Sequence, residues 1–191
     1  HFFGYWGYNL SEYSKSDISF KGDDYNFTLY DVTAYDRPTP FSFNVYFNPS
    51  TISIPQWNLR FGYFFANRWS ISLGTDHMKY VMNQNITVKY EGNYPNKYSY
   101  GEAVGNNQVL LTEQFLTFEH TDGLNYVNTE VSRHDDISKL FKIEDTDKIQ
   151  INLTEGIGAG FLYPKTNAKV FSKQRHDDFH ISGYGASIKA G

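Results

Sequence analysis

The sequence predicts an all-β protein, an antiparallel up-and-down β-barrel of the membrane-spanning kind. Three observations carry that expectation. Six segments alternate apolar and polar residues with a period of two, and the connections between them alternate between short and long. Large rings are abundant, with 16 Tyr, 16 Phe and 3 Trp, yet the mean hydropathy is −0.55. A soluble core of such size would be filled mainly by Leu, Ile and Val. Here the rings are interleaved with Asn, Ser, Gly, Asp and Lys, which suits a sheet with one apolar face, one polar face and aromatic girdles.

The first segment, residues 2–11, alternates Trp6, Tyr8 and Leu10 with Tyr5, Gly7 and Asn9. Residues 56–66 place Trp57, Leu59, Phe61, Tyr63 and Phe65 on one parity, and Asn58, Arg60, Gly62, Phe64 and Ala66 on the other. About ten residues is the length a tilted membrane strand needs. Only Asn67 and Arg68 separate this segment from the third, residues 69–82, so the two should form a tight hairpin. There Trp69, Ile71 and Leu73 alternate with Ser70, Ser72, Gly74 and Asp76. Residues 124–134 set Val127 and Val131 against Tyr126, Asn128 and Glu130. Residues 148–163 set Ile149, Ile151, Leu153, Ile157, Ala159 and Phe161 against Gln150, Asn152, Thr154 and three glycines. Residues 180–191 set Tyr184, Ala186 and Ile188 against Gly183, Gly185, Ser187 and Lys189. No segment holds a helical period beyond a turn or two.

The connections are long at about 12–55, 83–123 and 164–179, and shorter at 67–68 and 138–147. Outer-membrane barrels have short periplasmic turns and long extracellular loops, so this asymmetry predicts a periplasmic N-terminus. Residues 17–31, 85–91 and 109–120 also alternate, and are expected to extend some strands as ribbons above the membrane. Closed single-chain barrels have an even strand number of about eight or more. The expectation is therefore one barrel domain over residues 1–191, about eight strands in the complete protein, with the last hairpin missing from this sequence. The formal net charge of −4 and the lack of a basic run argue against nucleic acid. The chain has no cysteine, which excludes disulfides and thiolate chemistry. No apolar run reaches the length of a membrane helix.

The apolar parity is expected to face lipid through Trp57, Leu59, Phe61, Tyr63, Phe65, Trp69, Ile71 and Leu73. A soluble ligand-binding barrel would turn them inward instead. The opposite parity favours lipid, because its Gly, Ser, Asn and Thr fit a narrow interior and make a poor solvated surface. Trp57, Trp69, Phe64 and Phe65 also gather at strand ends, as girdle residues do. The inward parity then contains charge. Arg60, Asp76, Glu130 and Glu155 are expected to form an interior ion-pair network that plugs the lumen. Glu155 shares parity with Leu153, so a bulge in the glycine-rich run beside it would have to turn it inward. Acidic groups outnumber Arg60, which predicts a further Lys or Arg from strands still missing.

The stretches FFGYWGYN (residues 2–9), SIPQWNLRFGYFF with the following DHMKYVM, HTDGLNYVN (120–128) and LTEGIGAGFLYPKTN (153–167) carry a resemblance. The sequence resembles the small eight-stranded outer-membrane barrel proteins, in particular an uncharacterised branch from Bacteroidota-type bacteria. The resemblance covers most of the chain. It implies a fold and a location in the outer membrane, and brings no activity or functional residues with it.

Some small barrels modify lipid A, and such chemistry would fall to groups at the rim. His77, His120 and Asp122 are weak candidates for a base and its partner. Alternation puts Asp76 and His77 on opposite faces, and no serine stands at an obvious nucleophile position. The compact His176-Asp177-Asp178 group with His180 reads as a solvated loop rather than a metal site, and no cofactor is expected. The function expected is a plugged outer-membrane barrel serving envelope structure, surface interaction or a larger envelope complex. Its partners would be membrane lipid and lipopolysaccharide, or another envelope protein. A lipid A deacylase or acyltransferase and a narrow channel for small hydrophobic solutes are the alternatives.

Overall fold

The computed structural model describes residues 1–95, 103–171 and 173–191. Parts of two predicted loops, 96–102 and 172, lie outside the described residues. The chain is all-β and opens with β1 (Phe2–Tyr8), β2 (Ser16–Lys21), β3 (Asn26–Val32) and β4 (Ala34–Tyr35). One helical turn, α1 (Phe43–Tyr46), precedes β5 (Trp57–Ala66) and β6 (Trp69–Met82). Next come β7 (Thr87–Asn93), β8 (Ala103–Gly105), β9 (Gln108–Leu110) and the 21-residue β10 (Leu116–Asp136). A 3-10 turn at Ser138–Phe141 leads to β11 (Asn152–Pro164), β12 (Asn167–Val170), β13 (Lys173–His176) and β14 (Gly183–Ala190).

Six strands form an antiparallel meander in the order β1-β5-β6-β10-β11-β14. Each matches one of the six alternating segments. Side-chain parity survives folding: Phe61, Leu73, Ile157 and Ile188 are exposed on one face, while Ser70, Ser72 and Ser132 are buried on the other. The polar face is concave. Six strands about 4.8 Å apart would span about 24 Å if flat, yet Lys189 Nζ of the last strand lies 5.7 Å from the Tyr5 ring of the first. The sheet stays open all the same, because no strand pairs with the outer edge of β1 or β14 among the described residues. Close strand approach explains a glycine on the concave side. A Cβ at Gly160 would stand 2.1 Å from the Val127 carbonyl oxygen, so only hydrogen fits there.

The short connections 67–68 and 137–151 lie at one end of this sheet, with His1 beside them. The long excursions lie at the other end and build something the alternation did not predict. The expected ribbons at 17–31, 85–91 and 109–120 do not simply lengthen neighbouring strands. They supply most of a second, five-stranded sheet in the order β2-β3-β7-β9-β8. It packs against the ends of β6 and β10, which are widened by β4 on one side and the β12–β13 hairpin on the other. Phe27, Leu29, Val32, Met82, Val109, Leu111, Phe115 and Leu116 are fully buried there, and Phe171 nearly so. The molecule thus has a head with an ordinary apolar core beyond a curved sheet with the opposite packing logic. A bulge between His120 and Leu124 separates the two stretches of β10. Gly123 sits in it at φ +135°, a conformation that strains any residue with a Cβ.

Candidate functional site

The concave face carries the most concentrated chemistry of the molecule. Arg60, in mid-β5, extends its guanidinium over Gly74, where an added Cβ would stand 2.8 Å from Cζ. Its Nη1 donates to Asn128 Oδ1 at 2.8 Å and lies 3.6 Å from Glu130 Oε2. Its Nη2 lies 3.5 Å from Asp76 Oδ2, to which Asn128 Nδ2 donates at 2.9 Å. From β14, Lys189 Nζ donates to Glu130 Oε1 at 3.1 Å, and Ser132 Oγ donates to the same oxygen at 2.7 Å. The Arg60 and Glu130 side chains are only 6% and 5% exposed. Ions so deeply buried are tolerable only with close counter-charges and satisfied hydrogen bonds. Here two cations face two carboxylates.

The structure therefore brings Arg60, Asp76 and Glu130 together and leaves Glu155 out. The expected bulge is absent: the β10–β11 register runs unbroken from Leu124 opposite Pro164 to Asp136 opposite Asn152. Strict alternation then holds, and Glu155 is exposed on the convex face opposite Arg133. The missing cation comes from within the chain. Lys189 is the one charged side chain on its parity of β14, among Gly183, Gly185 and Ser187, and that isolation was the available signal.

On the convex face Phe61, Tyr63, Phe65, Trp69, Ile71 and Leu73 are all exposed. Trp57 and Leu59 are half-buried. A ladder of rings accounts for Trp57, which stacks on Trp6 of β1 at 4.7 Å and on His77 of β6 at 5.4 Å. Phe64 is not part of the outer girdle. It turns to the concave side and packs on Phe3 and His134.

The catalytic candidates are dispersed. His77 Nδ1 pairs with Asn125 Oδ1 at 2.8 Å, with Asp76 on the opposite face. His120 lies in the head between the Tyr80 and Phe118 rings, its Nδ1 3.4 Å from Thr166 Oγ1. Asp122 is exposed and pairs with Lys165. A His–Ser pair missed from the sequence occurs at the short-turn end, where Ser70 Oγ lies 2.9 Å from His134 Nε2. Its geometry is structural. Ser70 is 1% exposed, and His134 Nδ1 meets Thr154 Oγ1 at 3.2 Å instead of a carboxylate. His134 also lines a cavity of about 610 Å³ with His1, Phe64, Arg68, Asp136 and Gln150. In the compact 176–180 group, His180 Nδ1 lies 2.9 Å from the Asp178 carbonyl oxygen and 3.4 Å from Asp177 Oδ2. No group of three metal-binding side chains occurs among the described residues.

No family model matches the chain. No curated protein or solved structure matches it either. The arrangement itself is that of a charge-neutral polar cluster in a concave sheet whose convex face is apolar. Such a cluster fixes strands to one another and fills space; it presents no free nucleophile.

Proposed function

We propose that this chain is an outer-membrane β-barrel protein, with its curved sheet embedded in lipid and its head displayed at the extracellular surface. The observation that carries the reading is the inversion of the sheet. Apolar rings are exposed on the convex side, while the concave side holds a balanced ionic cluster with Arg60 and Glu130 buried and Asp76 and Lys189 half-buried, the arrangement expected where the outer medium is hydrocarbon. On β5 the apolar parity runs from Trp57 to Phe65, about 27 Å along the strand and about 21 Å in height at a tilt of about 40°. That is close to the apolar band of such barrels. Arg133 and Glu155, opposite each other in register, fall at its lower border, and the His77–Asn125 pair at its upper one.

In this reading Arg60, Asp76, Glu130 and Lys189 plug the interior, and the barrel serves as an anchor for the head. The open edges of β1 and β14 would be covered in the membrane, since bare strand edges are not tolerated in hydrocarbon. The head, with its own packed core, is the surface offered to partners of the envelope or the exterior. Orientation follows from the connections, with the short turns and His1 at the periplasmic end.

The test is fractionation of cells expressing the protein, followed by electrophoresis of the membrane fraction with and without boiling. Enrichment in the outer membrane together with a heat-dependent mobility shift is the expected result. A protein recovered wholly in the soluble fraction, with no shift, would overturn the reading.

A further inference from the structure

The long first excursion contains an apolar surface that neither the head core nor the curved sheet covers. Phe41, Phe43 and Phe47 are 66%, 75% and 67% exposed, and Ile54 is 50% exposed. The rings are gathered, Phe43 lying 5.3 Å from Phe41 and 5.7 Å from Phe47. They belong to a stretch, residues 38–59, without one charged side chain, in a chain that is 20% charged.

Two further observations say what covers this surface. The first is position. Tyr46 packs its ring on Tyr8 at 4.8 Å, and the Tyr8 hydroxyl donates to the Tyr46 carbonyl. Tyr8 pairs in register with Trp57, at the upper end of the convex apolar face. The cluster is therefore continuous with the aromatic row that borders the proposed hydrocarbon band. The second is the state of the backbone. Val45 and Tyr46 amides donate to the Ser42 carbonyl, Phe47 to Phe43, and Thr51 and Ile52 to Asn48. Thr51 Oγ1 adds a bond to the Asn44 carbonyl at 2.8 Å. Each peptide group satisfied within the segment lowers the cost of leaving water, and the interfacial level leaves the remaining ones within reach of headgroups and water.

We infer that residues 41–54 form an interfacial foot, a short aromatic segment that lies in the outer leaflet beside the upper girdle. The occupant of the surface is lipid, at the level of headgroups and upper acyl chains. Such segments bury an apolar face about 5–10 Å into this boundary. The inference rests on the membrane reading above and adds a second, non-strand contact with the bilayer.

The chain has no cysteine, so one introduced thiol gives a single labelling site. F43C and, separately, L73C would carry an environment-sensitive fluorophore in the full chain, reconstituted in phosphatidylcholine vesicles. Lipids bearing a spin label near the headgroup or near the chain end report depth by quenching. The expected result is loss of Phe43-site fluorescence mainly to the shallow label, and of Leu73-site fluorescence mainly to the deep one. Quenching at position 73 with none at 43 would overturn the foot and leave the barrel standing, whether site 43 meets water or protein. No lipid quenching at either site would overturn both.

Discussion

At the scale of single residues, the concave cluster makes the sharpest demands. Arg60 serves both Asp76 and Glu130, so among the described residues its removal leaves Asp76 with no ion pair and Glu130, 5% exposed, with Lys189 as its one counter-charge. Arg60→Met should lower stability by about 3–5 kcal/mol, read as a shifted urea midpoint of detergent-solubilised protein. Glu155→Gln on the exposed convex border should stay within about 0.5 kcal/mol. The contrast also marks what the sequence disclosed. Arg60, Asp76 and Glu130 stood out as charges on a parity of small residues. Glu155 stood out as a charge on the apolar parity, and the unbroken register shows that its own alternation was the correct guide. His120 yields a pH dependence. Burial holds its imidazole below the ordinary histidine value, with Lys165 backbone, His180, Tyr80, Phe118 and Thr166 around it. The unfolded chain then binds the proton first, so the stabilising difference is full above about pH 6.5 and is lost as the pH falls through the lower folded value. His120→Gln should flatten the acid side of the head's unfolding profile, and an unchanged slope would remove His120 as its cause.

At the scale of elements, β10, like its neighbour β6, runs from the curved sheet into the head. The sequence reads its halves as one alternating segment at 124–134 and a separate ribbon ending at 120. It could not show that one strand runs through both, because the link is a bulge set by tertiary pairing with β6. The single requirement visible in the chain is Gly123. An alanine there would bring its Cβ to 2.9 Å from the His77 ring at a φ of +135°. Gly123→Ala should cost about 1–3 kcal/mol and release the His77–Asn125 pair. Limited proteolysis should then cut first between residues 119 and 125. A digest like that of the wild type would mean that the bulge is dispensable.

At the scale of the whole molecule, two packing rules coexist in one chain. Period-two alternation is a local property, so all six strands of the curved sheet were legible from sequence. The head was not, because Phe27 of β3, Phe115 before β10 and Phe171 after β12 come together only through pairings far apart in the chain. Alternation predicted strands around Phe27 and Phe115 without saying which partners they would find, and 164–179, which holds Phe171 and the β12–β13 hairpin, was expected as a loop. Phe27→Ala should open a cavity costing about 3–5 kcal/mol, confined to the head. The variant should lose protease resistance in residues 16–32 while keeping the heat-dependent gel mobility proposed above for the unaltered chain. Loss of both together would mean that head and sheet form one cooperative unit.

The position of Lys189 has a consequence for the order in which the sheet is completed. A sheet assembled only as far as β11 sets two carboxylates against one guanidinium, and its unbalanced oxygen belongs to Glu130. The last strand delivers the second cation, the Lys189 ammonium, in the same movement that zips Ile188 to Ile157 and Ala186 to Ala159. Docking of β14 is thereby coupled to neutralisation. An early intermediate that buries Glu130 must either hold it protonated or keep that face wet until β14 arrives. Acidic conditions would relieve this late step, and raised salt would slow the arrival of the lysine by screening its attraction.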